Sequence, residues 1–226
     1  MKKFISLILA LVLSLSLVAC GSESTPDPAR TVDAVLSTLF HDDTTAMGDL
    51  FGYSSRDAIL DDWFDGDDPR DLLLDEFVKA FAEEALLEDD SVITNLGIAF
   101  MDAFARIPYT CTTDSIDEDA GIAVVSITIT PFPEDAFEDG LSSYVYSNYL
   151  DELTSSDDTS ELYNIIFKAM TEYVNQLQPT GTPTTLQLSC ELVEDTINGK
   201  TRSCWIPTDS ESFGEEFAAA AFNFNY

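Results

Sequence analysis

The stretch 184–206, "TTLQLSCELVEDTINGKTRSCWI", constrains the fold more than any other part of the chain. Leu186, Leu188, Cys190 and Leu192 recur every second residue, the period at which strand side chains return to one face. Asn198-Gly199 follows, a pair that readily takes the positive φ angles of a two-residue hairpin turn. The strand "SCWI", 203–206, comes after it. A two-residue turn at 198–199 sets Cys204 opposite Val193, not opposite Cys190. A second alternating region lies upstream. In "IPYTCTT", 107–113, Ile107, Tyr109 and Cys111 alternate with smaller polar residues, and "GIAVVSITIT", 121–130, is rich in β-branched residues. "DSIDEDAG" between them reads as a turn, and Pro131 and Pro133 end the second strand. A lone hairpin is marginal in water, so the two hairpins are expected to pair into one four-stranded antiparallel sheet.

The remainder has helical period. Val32, Val35, Leu36, Leu39 and Phe40 follow 3-4 spacing in the opening segment. Two short helices are predicted over 44–51 and 55–64, the second capped by Ser54 or Ser55. Gly66 and Pro69 make "FDGDDPRD" a loop. A helix over 70–89 lines Leu74, Phe77, Phe81 and Ala85 on one face. Ser91 caps the next, carrying Ile93, Leu96, Phe100 and Phe104 and ending before Pro108. Leu141, Val145 and Tyr149 mark a helix, and Leu162, Ile165, Ile166, Ala169, Tyr173 and Leu177 mark another. A last one runs from about 211 to 222, with Phe213 and Phe217 inward. Helices, hairpin, two helices, hairpin and helix make an α+β domain, its helices packed mainly on one face of a curved four-stranded antiparallel sheet.

The first residues belong to a different physical regime. Lys2 and Lys3 precede a weakly polar-to-apolar run from Phe4 to Val18, and no acid occurs before Glu23. That is the form of an export signal, shorter than the roughly 20 residues that cross a bilayer. Leu17, Val18, Ala19 and Cys20 resemble the bacterial lipobox. The resemblance implies that a diacylglyceryl group, palmitate-like in its chains, joins the Cys20 sulfur and that cleavage leaves Cys20 first. Each buried CH₂ contributes about 0.8 kcal/mol, and two acyl chains hold stably where one does not. The expected organisation is a signal peptide over 1–19, the lipidated cysteine and a flexible spacer over 20–28, and a single α+β domain over 29–226. Its place is the outer face of the cell membrane.

Loss of residues 1–19 removes two lysines and no acid, so the formal charge moves from −32 to −34. Such a body repels nucleic acid and anionic headgroups, and neither is expected as a partner. The acid serves as a solvated, repulsive surface, or it captures a cationic ligand or Ca²⁺. Apolar residues make up 45% of the chain, enough for a packed core and too many for an acidic disordered tail.

Beyond Cys20 three cysteines remain: Cys111, Cys190 and Cys204. Export permits a disulfide. Cys190 and Cys204 flank the second hairpin and are the candidate pair, but the register of a two-residue turn opposes it, so the pairing stays open. The chain has no C-x-x-C, and its one histidine, His41, is far from the cysteines in sequence, so no metal or cofactor site is read from them.

The sequence carries few signatures of chemistry. There is no G-x-S-x-G, no glycine-rich phosphate loop and no H-E-x-x-H. His41, at a helix end beside Asp42 and Asp43, reads as a partner of the helix dipole. "DDWFDGDD", 61–68, is the densest acidic cluster and the candidate for a weak surface Ca²⁺ site. It fails the EF-hand pattern, because Trp63 sits where the second acidic ligand belongs. Tyr144, Tyr146 and Tyr149 crowd one segment, and Tyr109, Phe132 and Trp205 lie on or beside strands. These aromatics serve a core or line a pocket. No catalytic residue is named.

Three stretches carry a wider resemblance. "ARTVDAVLSTLFHDD" is an opening helix after a spacer. "YTCTTDSIDEDAGIAVVSITITPFP" is strand, acidic turn and strand. "TTLQLSCELVEDTINGKTRSCWIPTDSESFGEEF" is a long strand, a turn with Gly and Lys, a Trp-plus-Ile strand and a short closing helix. The layout is similar to that of an uncharacterised family of Gram-positive surface lipoproteins with a nuclear-transport-factor-2-like, cystatin-like cone. The resemblance implies a curved sheet wrapping a pocket and brings no settled activity; some proteins of that fold are enzymes pairing an acid with a tyrosine. The expected function is a membrane-anchored extracytoplasmic lipoprotein that binds a small molecule, peptide or envelope protein without catalysis. The alternatives are an enzyme using a buried carboxylate beside a tyrosine in the cone, or a structural envelope protein.

Overall fold

The computed structural model describes residues 25–85 and 91–223. The leader, Cys20 and the end of the predicted 70–89 helix lie outside the described residues.

Asp27 opens α1 (Pro28–His41) by accepting from the Ala29 and Arg30 amides, and Pro28 stands where a helix needs no N–H donor. α2 (Thr45–Phe51) and α3 (Arg56–Trp63) follow, the latter capped by the Ser55 hydroxyl on the Ala58 amide at 3.3 Å. α4 (Pro69–Ala85) and α5 (Ser91–Ala105) complete the first helical run. β1 (Tyr109–Asp117) and β2 (Ile122–Ile129) form the first hairpin, with β1 running past the expected end at 113 to Asp117. "DSID" stays in the strand, helped by an irregularity in register between Thr113 and Ser115, so the turn itself begins after Asp117.

The helix marked by Leu141, Val145 and Tyr149 is preceded by a π turn, Ala136–Gly140, and runs as α6 (Leu141–Ser155). α7 (Thr159–Gln176), β3 (Thr184–Ile197), β4 (Lys200–Pro207) and α8 (Ser210–Phe222) follow. The sheet order is β1-β2-β3-β4, all antiparallel, with Ile127 paired to both Cys111 and Leu186. The two hairpins do pair with each other, and the fold is α+β.

The β3–β4 turn has φ of 52° at Asn198 and 65° at Gly199, the left-handed pair that matches strand twist. Register therefore puts Cys204 opposite Val193 and Cys190 opposite Pro207. The Cys190–Cys204 pairing that the sequence leaves open is not made in this structure: the two positions are not cross-strand neighbours, and Cys111, Cys190 and Cys204 are free thiols.

β3 buries Leu188 and Cys190 from one face and Asp195 and Ile197 from the other. α1 covers the first face, where Val32 and Leu36 meet Leu188 and Trp205. At the far end the hairpin tip lies against the α2–α3 segment. Asn198 Nδ2 donates to the Gly52 carbonyl at 2.6 Å, and the Arg202 guanidinium lies 3.6 Å from where a Gly52 Cβ would stand.

Phenylalanines close the interior. Phe222 meets Phe104 edge-on at 4.9 Å and stacks on Phe132 at 5.3 Å, and Phe217 meets Phe40 at 5.2 Å. Such contacts add about 0.5–1.5 kcal/mol each beyond area burial. The space left between α1 and the sheet is a cavity of about 10 Å³, at the limit for one water. Among the described residues, the space between α1 and the sheet is thus largely filled by side chains.

Candidate functional site

A larger cavity lies on the helical side. α5 and α7 pack together, and a trough of about 600 Å³ opens along their contact. Both helices have an inner face committed to the core: Ile93, Leu96, Phe100 and Phe104 from α5, and Phe167, Met170 and Val174 from α7. Each carries a second stripe at 3-4 spacing beside the first. On α5 it is Val92, Asn95, Ile98, Ala99 and Asp102. On α7 it runs from Glu161 through Asn164, Ile165, Lys168 and Glu172 to Asn175. At 1.5 Å per residue these stripes extend about 15 and 21 Å. Ile98, 42% exposed, stands in the trough as a large apolar side chain facing solvent.

The polar groups of the trough are held by neighbours. Asp158 caps α7 by accepting from the Ser160 amide at 2.8 Å, which orients the first turn bearing Glu161. Glu161 accepts from the Ser156 hydroxyl at 2.6 Å. Asp102 is reached from α4 by Arg70 at 3.1 Å. Glu172 accepts from the Tyr144 hydroxyl at 3.1 Å and from Tyr149, both on α6. Gln176 donates to the Tyr144 oxygen at 3.3 Å, and Lys168 Nζ sits 5.4 Å above the Tyr149 ring.

This arrangement holds Glu172 as an anion. The Tyr149 hydrogen bond, with help from Tyr144 and Lys168, outweighs desolvation and keeps its carboxyl below the usual glutamate range. Tyr149, 5% exposed, has its phenol pushed up, first by burial and then by the hydrogen bond to Glu172. An acid and a tyrosine do meet, but on the outer helices and with the acid stabilised in its charged form. Among the described residues, the carboxyl raised by burial is Asp195, next to Asp62 at the hairpin tip, and it lines neither the trough nor the small cavity under α1. Asn164 Oδ1 is buried at the trough with no hydrogen-bond partner among the described residues.

The residues singled out from sequence are dispersed. His41 ends α1 and stacks on Tyr109 at 6.1 Å, while the Tyr109 hydroxyl donates to the Asp33 carbonyl at 3.4 Å. Trp205 and Phe132 are core. Tyr146 is 65% exposed and stays out of the Tyr144–Tyr149–Glu172 group. In 61–68, Asp62 binds Tyr53 and the Asn198 amide, and Asp68 binds Arg56 and caps the Arg70 amide. Those aspartates tie loops together; among the described residues no three His, Cys, Asp or Glu side chains are placed to hold a metal ion. Sequence reading missed Asp102, Glu161, Asn164, Lys168 and Glu172. One signal was available: Ile98 falls outside the Ile93–Leu96–Phe100–Phe104 face, an apolar residue on a side that needs none.

Among the described residues no helix is long and apolar enough to cross a membrane. The chain matches no protein-family model. No curated protein matches it either. Among solved structures it is similar to the crystal structure of a Bacillus subtilis protein, ycdA, named as a lipoprotein. The identity is 15%, the TM-score is 0.56, and the likeness covers 86% of this chain and 56% of that one. This chain therefore spans little more than half the length of that protein, and the likeness is one of fold.

Proposed function

We propose that the chain is a lipid-anchored extracytoplasmic lipoprotein whose domain, of nuclear-transport-factor-2-like type, holds a ligand or partner without acting on it chemically. The trough between α5 and α7 is the binding site. The anchor rests on Leu17-Val18-Ala19-Cys20 behind an export signal, and the fold likeness to a protein named as a lipoprotein is in keeping with it. The observation that carries binding is the trough itself. About 600 Å³ lies within the range of small-molecule sites, with Val92, Ile98, Ala99 and Ile165 as walls and a few oriented polar groups. A catalytic carboxyl needs a pKa drawn toward neutrality. Glu172 is drawn the other way. That favours recognition over proton transfer.

Two measurements test the reading. Mass spectrometry of the natural product is expected to find a diacylglyceryl group on Cys20 as the first residue, and Cys20→Ser is expected to leave the membrane fraction or to retain its leader. A bare or absent Cys20 overturns the anchor. For the trough, a thermal-shift screen of metabolites and peptides is expected to raise the Tm of the chain but not of Asn95→Trp, whose indole fills the trough from an exposed position. Ligands that shift both proteins equally place binding elsewhere.

A further inference from the structure

We infer that the trough takes a small organic cation, an ammonium or guanidinium head on an apolar body. The inference rests on the binding reading above and names the ligand class for that site. Three carboxylates, Asp102, Glu161 and Glu172, line the trough against one cation, Lys168. The partners that hold them decide what charge remains. Arg70 answers Asp102 at 3.1 Å. Glu161 and Glu172 take their hydrogen bonds from hydroxyls, those of Ser156, Tyr144 and Tyr149, which donate without cancelling charge. The lysine is drawn over the Tyr149 ring, 5.4 Å from its centroid. The trough thus keeps a net negative field inside a protein of formal charge −32, and a cation is drawn to it at long range as well as at contact.

Its hydrogen-bonding groups point to the same class. Carboxylates accept and never donate when ionised. Asn164 adds an acceptor, Oδ1, buried without a partner among the described residues. Leaving such a group unpaired costs about 1–3 kcal/mol. A turn about the broad terminal torsion of asparagine would present this oxygen to the trough, where an N–H donor satisfies it. The apolar body has its own place. Ile98 is 42% exposed, and Ala99 and Ile165 stand beside it in the lining. Acceptors at the edges and aliphatic walls between them fit an amphiphilic amine. An anion meets repulsion, and a neutral body gains the walls and hydrogen bonds but no charge pairing.

The test is calorimetric titration of the full chain, in vesicles of zwitterionic lipid, with matched probes on one body: 4-phenylbutylamine, 4-phenylbutanol and 4-phenylbutyrate. Arg70 offsets Asp102 and Lys168 offsets part of Glu172, so one net carboxylate remains; at about 0.5–1 kcal/mol, the amine is expected to bind about three- to fivefold tighter than the alcohol. The butyrate is expected to give no heat, and the preference is expected to shrink as salt is raised. Glu161→Gln with Glu172→Gln should bring the amine down to the alcohol, with folding checked by circular dichroism. Lys168→Gln should tighten the amine and leave the alcohol unchanged. Amine and alcohol binding equally, both abolished by Asn95→Trp, would overturn the cation assignment and leave the trough as a site. Absence of all three probes, with a basic helical Leu/Lys peptide binding instead, would overturn the small-ligand assignment. Heat that persists unchanged in Asn95→Trp would overturn the site and the cation together.

Discussion

The Tyr53 hydroxyl donates to Asp62 Oδ2 at 2.8 Å, and the same carboxylate oxygen accepts the backbone amide of Asn198 at 2.8 Å. One aspartate thereby joins the loop after α2, helix α3 and the β3–β4 turn, which lies 136 residues away in sequence. Trp63 Nε1 donates to the Tyr53 oxygen at 3.0 Å and closes the group from the buried side. Burial, then the Asp62 hydrogen bond, pushes the Tyr53 phenol above its ordinary pKa, so the hydroxyl stays a donor at all physiological pH. Asp62→Ala removes two charge-assisted bonds and should cost about 2–3 kcal/mol. Asp62→Asn keeps an acceptor and should cost about half as much. Urea denaturation reads both, and amide exchange at Asn198 should quicken in Asp62→Ala.

Much of the fold was legible because it follows local rules. Asn198-Gly199 dictates the turn, the turn dictates the register, and the register separates Cys190 from Cys204. Ser55 caps the helix that begins at Arg56, and Pro131 ends β2 as expected. The candidate site was not legible, because its two walls lie about 70 residues apart and each reads as an ordinary amphipathic helix. Only packing sets Asp102 beside the α7 stripe and Glu172 beside Tyr144. The packing of the interior was hidden for the same reason. Phe40, Phe104, Phe132, Phe217 and Phe222 each look like generic core residues, and their convergence is a tertiary fact. The roles within 61–68 were hidden too, because charge density alone suggests a cation, whereas packing gives Asp62 to Tyr53 and Asn198 and Asp68 to Arg56 and Arg70.

Glu172 should leave a pH signature. Its folded carboxyl is depressed, chiefly by the Tyr149 hydrogen bond, so the folded state binds fewer protons there than the unfolded chain as acid is added. The stabilisation is complete above the unfolded glutamate pKa of about 4.3 and disappears as pH falls through the lower folded value. Glu172→Gln should therefore lower stability by about 1 kcal/mol at pH 7. The gap to the parent should close in acid. Urea midpoints at pH 7 and pH 3 decide it: a gap that does not change with pH would mean that the charge of Glu172 contributes nothing.

Gly140 closes the π turn because a side chain cannot fit there. A Cβ would lie 2.2 Å from the Tyr173 hydroxyl, which donates to the Ala136 carbonyl at 2.7 Å and so cannot simply swing away. Gly140→Ala should cost about 2 kcal/mol, the usual scale of overpacking. Tyr173→Phe alone should cost about 1 kcal/mol for the lost bond. In the double variant the clashing oxygen is gone, so the two costs should fall short of additivity by roughly 1 kcal/mol. Strict additivity would show that Gly140 is needed for its backbone and not for the space.

The thiols provide the last check, because burial and pairing predict different reactivity. Cys190 and Cys204 are buried, Cys111 is half-buried, and desolvation pushes each of the three up to about 12. The thiolate is the nucleophile, so in the folded protein all three should react with maleimide far more slowly than a free cysteine at pH 8. In urea all three should label at ordinary rates without added reductant. A Cys190–Cys204 bridge would leave those two unlabelled in urea until reduction, and only Cys111 would gain mass. The positions opposite them, Pro207 and Val193, predict three additions. Mass spectrometry of the peptides carrying Cys111, Cys190 and Cys204 distinguishes one addition from three. Oxidation during purification is controlled by alkylating at lysis, so a result of one addition there would require the β3–β4 register to shift.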